Sequence, residues 1–129
     1  RIIHYPPLET DITDGAIRAG AHGDINLITV LPASSQAGLQ LLKETGDWMD
    51  IKCDPGWLVI NSGDMLNKCS DGYYPSTIHR VINPKGDDAR LPRYTMPVFI
   101  HPRDEVILSD KYTARSFLDE RLKEIGLKS

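Results

Sequence analysis

The sequence predicts an all-β fold, a double-sheet jelly roll carrying one amphipathic helix at its C-terminal end, on three observations. Its apolar segments are short and cut by turn residues, so no helical period is sustained before residue 113. Seven strand-like segments fit into 129 residues, the spacing of a sandwich or barrel. Only the last stretch changes period, from the alternation of strands to that of a helix.

The first element, Arg1–His4, opens without Met on the apolar pair Ile2-Ile3 and reads as a strand from the interior of a longer chain. The further candidate strands are His22–Leu31, Gly38–Leu42, Trp48–Ile51, Trp57–Ile60, Thr77–Ile82 and Arg93–Ile100. Turn signals separate them: Gly46 within Lys43–Asp47, then Asp54-Pro55-Gly56, Ser62-Gly63-Asp64 and Asn83-Pro84-Lys85-Gly86. In these, glycine supplies positive φ and proline fixes φ at no ordering cost. Thr113 is placed as an N-cap, and Ala114–Ile125 brings Phe117, Leu118, Leu122 and Ile125 onto one helical face before Gly126 stops it. Trp48, Trp57 and Phe99 read as core, and Asp119-Glu120-Arg121 with Lys123-Glu124 as the helix's solvated face.

Composition narrows the function classes. With 40% hydrophobic and 26% charged residues, the chain is globular and long enough for one domain, residues 1–129, with its own core. A net charge of -3 with dispersed Lys and Arg offers no basic stripe, so no nucleic-acid partner is expected. No apolar run approaches bilayer thickness and no secretory leader opens the chain, so no membrane partner is expected either. Cys53 and Cys69 stand in no metal-binding spacing and read as free thiols of a reducing cytoplasm. Nothing in the pattern sets an oligomeric state.

The chemistry rests on a few residues. His22 and Asp24 stand two apart, and in a strand that spacing presents an imidazole and a carboxylate on one face. A buried carboxylate is costly unless paired or bound to a metal. His79 follows fifty-five positions after Asp24 in another strand-like segment. Two imidazoles and one carboxylate on one side of an ion leave the opposite positions open, the facial set of non-haem Fe(II) oxygenases. A fourth, closing ligand of the structural-zinc type is absent from the sequence pattern. The bland alternative is a surface His-Asp pair and an unrelated core histidine. Fourteen residues past His79, Arg93 and Thr95 again share a face. A planar guanidinium beside a hydroxyl suits a carboxylate, although an exposed strand face with an ion pair to Asp87 or Asp88 would use the same residues. Tyr5 can add a phenolic donor, or serve as a buried tyrosine. A metal with a carboxylate anchor some way off fits a five-carbon dicarboxylic keto acid. His4 and His101 read as structural or solvent-facing.

Three stretches carry a family resemblance: Arg18–Thr29 around His22-Gly23-Asp24, Pro75–Pro84 around His79, and Arg93-Tyr94-Thr95-Met96-Pro97. With Gly38-Leu39-Gln40, Gly56-Trp57 and Asn61-Ser62-Gly63-Asp64, they resemble the isopenicillin N synthase-like branch of the Fe(II)/2-oxoglutarate dioxygenases, bacterial members included. The similarity runs from His4-Tyr5-Pro6-Pro7 to His101-Pro102. It implies a double-stranded β-helix (jelly-roll) core with Fe(II) held by His22, Asp24 and His79. It implies that Arg93 and Thr95 match the family's Arg-x-Ser element, which binds the distal carboxylate of 2-oxoglutarate. Tyr5 matches the tyrosine of an Asn-Tyr-Tyr-Pro segment that reaches the same carboxylate. Three positions depart: Gly23 stands where many members carry Thr or Glu, Ile3 replaces the asparagine, and Thr95 replaces the commoner serine. The family's N-terminal helical region has no counterpart here. The implied activity couples oxidative decarboxylation of 2-oxoglutarate, giving succinate and CO2, to oxidation of a small-molecule substrate by dioxygen. A 2-oxoglutarate-independent oxidase of the branch and a non-catalytic metal-binding jelly roll remain alternatives.

Overall fold

A computed structural model describes residues 1–8, 16–52 and 54–128; Cys53, and with it the expectation of two free thiols, lies outside the described residues. Among the described residues, eleven strands and two α-helices follow in chain order. They are β1 (Ile3–Tyr5), β2 (Ala19–His22), β3 (Ile28–Pro32), β4 (Leu39–Leu42), β5 (Trp48–Asp50) and β6 (Leu58–Ser62), then α1 (Asp64–Cys69) and β7 (His79–Val81). A 3-10 helix over Gly86–Arg90 leads to β8 (Arg93–Thr95), β9 (Val98–Ile100), β10 (Ile107–Ser109), β11 (Tyr112–Thr113) and α2 (Ala114–Glu124).

The strands pair antiparallel in a four-stranded sheet, β2-β7-β4-β5, a three-stranded sheet, β6-β3-β9, and the pairs β1-β8 and β10-β11. Residues of both larger sheets and of β1-β8 line one central cavity, so the sheets face each other in the jelly roll expected from the sequence. The dry core lies to one side of that cavity. There Met65 of α1, Leu108 of β10, and Ala114 and Phe117 of α2 pack together with Ile25 and Leu27 against them. Thr113 caps α2 by accepting from Ser116 N, and Ser116 Oγ answers by accepting from Thr113 N. Gly126 takes φ +74° just past the helix, as its place in the sequence predicts. Ile125, expected on the packed face, is 54% exposed because the helix has already ended.

Two predicted strands divide. His22–Leu31 is not one strand: β2 ends at His22, β3 starts at Ile28, and Asp24–Leu27 leave the ladder. Helix α1 supplies the reason. Its leading amides, which have no partner within the helix, donate to that segment. Gly63 N reaches Leu27 O at 2.9 Å, Asp64 N reaches Asp24 O at 2.7 Å, and Met65 N reaches Ile25 O at 3.2 Å. Arg93–Ile100 divides at Met96-Pro97, where proline has no N–H for a ladder bond. The expectation that Trp57 and Phe99 are core does not hold: they are 68% and 37% exposed. Trp48 is half-buried under the Arg80 guanidinium, 4.0 Å from its ring centre. No helix among the described residues is long and apolar enough to cross a membrane.

Candidate metal centre and carboxylate anchor

Strand register joins the two histidines. His22 and His79 are direct partners in the β2-β7 ladder, which brings together two segments far apart in sequence, and their ring centres lie 4.4 Å apart. Each ring is held the same way. His22 Nδ1 donates to Gly20 O at 2.7 Å, and His79 Nδ1 to Thr77 O at 3.0 Å, the carbonyl two residues back in both cases. Protonation at Nδ1 leaves both Nε2 lone pairs free for a metal. Asp24 joins them from the loop that α1 pins, its Oδ1 3.8 Å from His79 Nε2. One ligand atom from each of His22, Asp24 and His79 lies within 4.8 Å of the others.

The other carboxylate oxygen is already occupied. Asp24 Oδ2 accepts from Thr29 Oγ1 at 2.5 Å and from Asn61 Nδ2 at 3.0 Å. Thr29 and Asn61 are themselves cross-strand partners on β3 and β6, and both are buried. Gly23 leaves room for neighbours: a Cβ there would stand 2.8 Å from Ser76 Oγ and 3.2 Å from Asp64 Oδ1. Space that a larger residue would take is thus filled from Ser76 and α1.

The candidate carboxylate anchor lines the same cavity from β8. Arg93 and Thr95 point inward while Tyr94 between them is exposed, the alternation the sequence predicts. Only 1% of Arg93 is exposed. Its Nε donates to Gln36 O at 3.1 Å and its Nη2 to Ser34 Oγ at 2.9 Å. Tyr5, its β1 partner, lies beneath the guanidinium with the ring centre 5.4 Å from Cζ. On β8, Arg93 Nη1 and Thr95 Oγ1 are buried with no partner among the described residues. No carboxylate pairs with Arg93 among those residues; Asp87 and Asp88 are exposed in the 3-10 helix. Burial pushes the Arg93 pKa down, Tyr5 pulls it up and the nearby Arg18 lowers it again. A buried cation costs several kcal/mol, and an orphaned donor about 1–3 kcal/mol, unless an anion arrives to meet them.

The structure therefore gathers every residue expected at the site: His22, Asp24 and His79 together, and Arg93, Thr95 and Tyr5 together across the cavity. Chemically, the first group offers two imidazole nitrogens and one carboxylate oxygen. The second offers a fork of donors to a carboxylate. Sequence reasoning missed the residues behind them: Asn26, Thr29 and Asn61 at Asp24, and Ser34 and Gln36 at Arg93. A usable signal was present in Thr29 and Asn61, polar residues at inward parity within apolar strands.

A family profile described as the 2OG-Fe(II) oxygenase superfamily matches residues 1–102. The chain is 37% identical over 100 residues to a 2-oxoglutarate-Fe(II) type oxidoreductase of Aspergillus fumigatus, a match covering 77% of this chain and 28% of that protein. A Shewanella oneidensis protein described as an oxygenase superposes with a TM-score of 0.86 at 55% identity, over 98% of this chain and 47% of that one. A full-length Neurospora crassa protein in complex with alpha-KG (2-oxoglutarate) superposes with a TM-score of 0.84 at 29% identity, over 96% of this chain and 43% of that one. The chain thus spans less than a third of the curated relative and under half of each solved chain.

Proposed function

The chain belongs to the 2OG-Fe(II) oxygenase superfamily, and from that premise we propose that it forms the catalytic core of an enzyme coupling decarboxylation of 2-oxoglutarate to oxidation of a small-molecule substrate. The observation that carries this reading is one cavity lined both by a two-histidine, one-carboxylate face and by a buried arginine that has no counter-ion among the described residues. A metal centre alone fits many proteins. A metal centre opposite an unpaired, desolvated guanidinium asks for a small molecule with a carboxylate at its far end.

His22, Asp24 and His79 would hold the Fe(II), which when bound activates dioxygen for oxidation of the keto acid and of the substrate. Arg93 would take the distal carboxylate through the vacant Nη1, and Thr95 Oγ1 would complete that carboxylate's hydrogen bonds. Tyr5 supports the guanidinium from below. Gly20 O and Thr77 O keep the two imidazoles in the tautomer that offers Nε2. Leu39, Leu41 and Val81 give the cavity an apolar wall between these groups. The Arg93-Tyr94-Thr95 element and the Tyr5 segment support assignment to the isopenicillin N synthase-like branch. The acidic balance and dispersed basic residues support a small-molecule substrate, not nucleic acid, as partner, and the exposed free thiol of Cys69 suits a cytoplasmic site. We take residues 1–129 as a single domain.

Anaerobic addition of Fe(II) and 2-oxoglutarate tests the reading. A weak metal-to-ligand charge-transfer band should grow with both components, and admission of oxygen should release succinate. Oxygen uptake that ignores 2-oxoglutarate would assign the chain to the oxidases of the branch. Failure to form the band would remove the enzymatic reading.

A further inference from the structure

Resting on that reading of the metal centre, we propose that Asn26, Thr29 and Asn61 form a positioning relay that restricts Asp24 to a single ligand oxygen, Oδ1. Fully buried polar side chains demand an account, because each must recover hydrogen bonds lost to water. Asn26, Thr29 and Asn61 are 1%, 3% and 9% exposed; Thr29 and Asn61 both reach Asp24 Oδ2, and Asn26 reaches Thr29.

The direction of every proton in the relay follows from its far end. Asn26 Nδ2 lies 3.1 Å from Ile28 O and 3.0 Å from Thr29 Oγ1. A carbonyl oxygen can only accept, so the amide atom facing Ile28 O must be the NH2. The same NH2 then donates to Thr29 Oγ1, which leaves the hydroxyl's only proton for Asp24 Oδ2 at 2.5 Å. Asn61 Nδ2 donates to that oxygen from the opposite strand at 3.0 Å. Asp24 Oδ2 is thereby held by two donors from β3 and β6, while Oδ1, 3.8 Å from His79 Nε2, is held by none of the three. A carboxylate fixed in this way cannot turn both oxygens to the ion. Released from Thr29, it would be free to chelate with both and to occupy a coordination position that the co-substrate needs.

Gly63 makes the arrangement possible. A Cβ there would stand 2.2 Å from Asn26 O, 2.6 Å from Asn26 Oδ1 and 2.8 Å from Asp24 O, so only glycine lets α1 approach the relay.

Co(II) binding by the full chain, read by calorimetry and by its ligand-field absorption, tests the relay apart from turnover. Thr29→Val should weaken binding by about 10–100-fold, the usual effect of removing a partner of a metal ligand, and should alter the absorption. Thr29→Ser, which keeps the hydroxyl, should restore both. Asn26→Leu should weaken binding in the native background and add nothing to Thr29→Val, since Asn26 acts only through that hydroxyl. Thermal melts with chelator present separate folding from positioning. A lowered apo melting temperature with unchanged Co(II) affinity and spectrum in Thr29→Val would make the residue merely structural and overturn the relay. Additive losses from Asn26→Leu and Thr29→Val would overturn it as well. If the native chain binds no Co(II), the metal centre itself falls, and the relay with it.

Discussion

The two ends of the cavity are built on opposite principles. At the metal end the protein satisfies its own ligands: both Nδ1 atoms donate to nearby carbonyls, and Asp24 Oδ2 accepts from two side chains. At the anchor end it leaves work undone: among the described residues a buried guanidinium lacks both a counter-ion and one hydrogen-bond acceptor, beside a hydroxyl with no partner. One end is preorganised and the other is frustrated. Ligands already oriented by hydrogen bonds to their other atoms need not be ordered by the ion, so such bonds raise the affinity of a metal site. An organic anion can instead recover what the protein lost in burying a charge, which makes the frustrated end a source of affinity and of selectivity for a carboxylate.

If the ends are this different, substitutions should separate them cleanly. The largest effect belongs to His79→Ala, which removes one of the three proposed ligands: Co(II) or Fe(II) binding, metal-induced thermal stabilisation and succinate formation should all be lost. A melt with and without metal checks it, since a bound ion stabilises the native chain by mass action and should leave the variant's midpoint unmoved. Gly63→Ala comes next. Its Cβ meets backbone atoms of Asn26 and Asp24 that cannot swing aside, so the ligand loop must move. The expected result is a folded but destabilised chain with metal affinity reduced at least as far as in Thr29→Val, read by calorimetry.

Arg93→Met probes the other end and should reverse the pattern. Metal affinity should stay within the native range, while the 2-oxoglutarate concentration for half-formation of the charge-transfer band rises by roughly 30-fold to a few thousand-fold. That corresponds to the loss of about 2–5 kcal/mol typical when one partner of a buried charge pair is truncated. Replacing a buried unpaired cation by an apolar chain of similar length is often neutral or stabilising, so the apo melting temperature should not fall as it does for Gly63→Ala. Equal damage to metal binding would show that the two ends are not independent.

How much of this was legible in sequence follows from what is local. The cap at Thr113 and the stop at Gly126 depend on nearest neighbours, and the structure has both where the sequence puts them. The β strands near Leu39, Trp48, His79 and Arg93 were legible from alternation. Helix α1 was not, because six residues are too few to display a period. Its invisibility carried a second error: Ile25 and Leu27 extend an apolar run, yet they pack on the α1-α2 core outside any strand. The exposed Trp57 and Phe99 misled for a related reason, since hydrophobicity marks strands but not which face looks outward. His22, Asp24, His79, Arg93 and Thr95 could be singled out by residue type, spacing and resemblance. The relay behind Asp24 could not, because it depends on Thr29 falling opposite Asn61, and register belongs to the folded sheet.

The smallest expected effect is the most discriminating. Thr95 Oγ1 is buried with no partner among the described residues, so Thr95→Val removes a hydroxyl whose burial none of them compensates. Where a polar atom is unsatisfied, replacing it by an apolar group of the same shape is neutral or stabilising, in contrast to every other substitution of a hydrogen-bonded group. The apo chain should therefore melt at the same temperature or slightly higher. Yet a hydroxyl that completes the coordination of a bound carboxylate is worth about 0.5–1.5 kcal/mol, so 2-oxoglutarate should bind roughly 2- to 12-fold more weakly. Gain in stability with loss of affinity is a signature that a residue packed for the fold alone cannot give. A fall in the apo melting temperature would mean that the hydroxyl already has its partner, and that the anchor end is no less finished than the metal end.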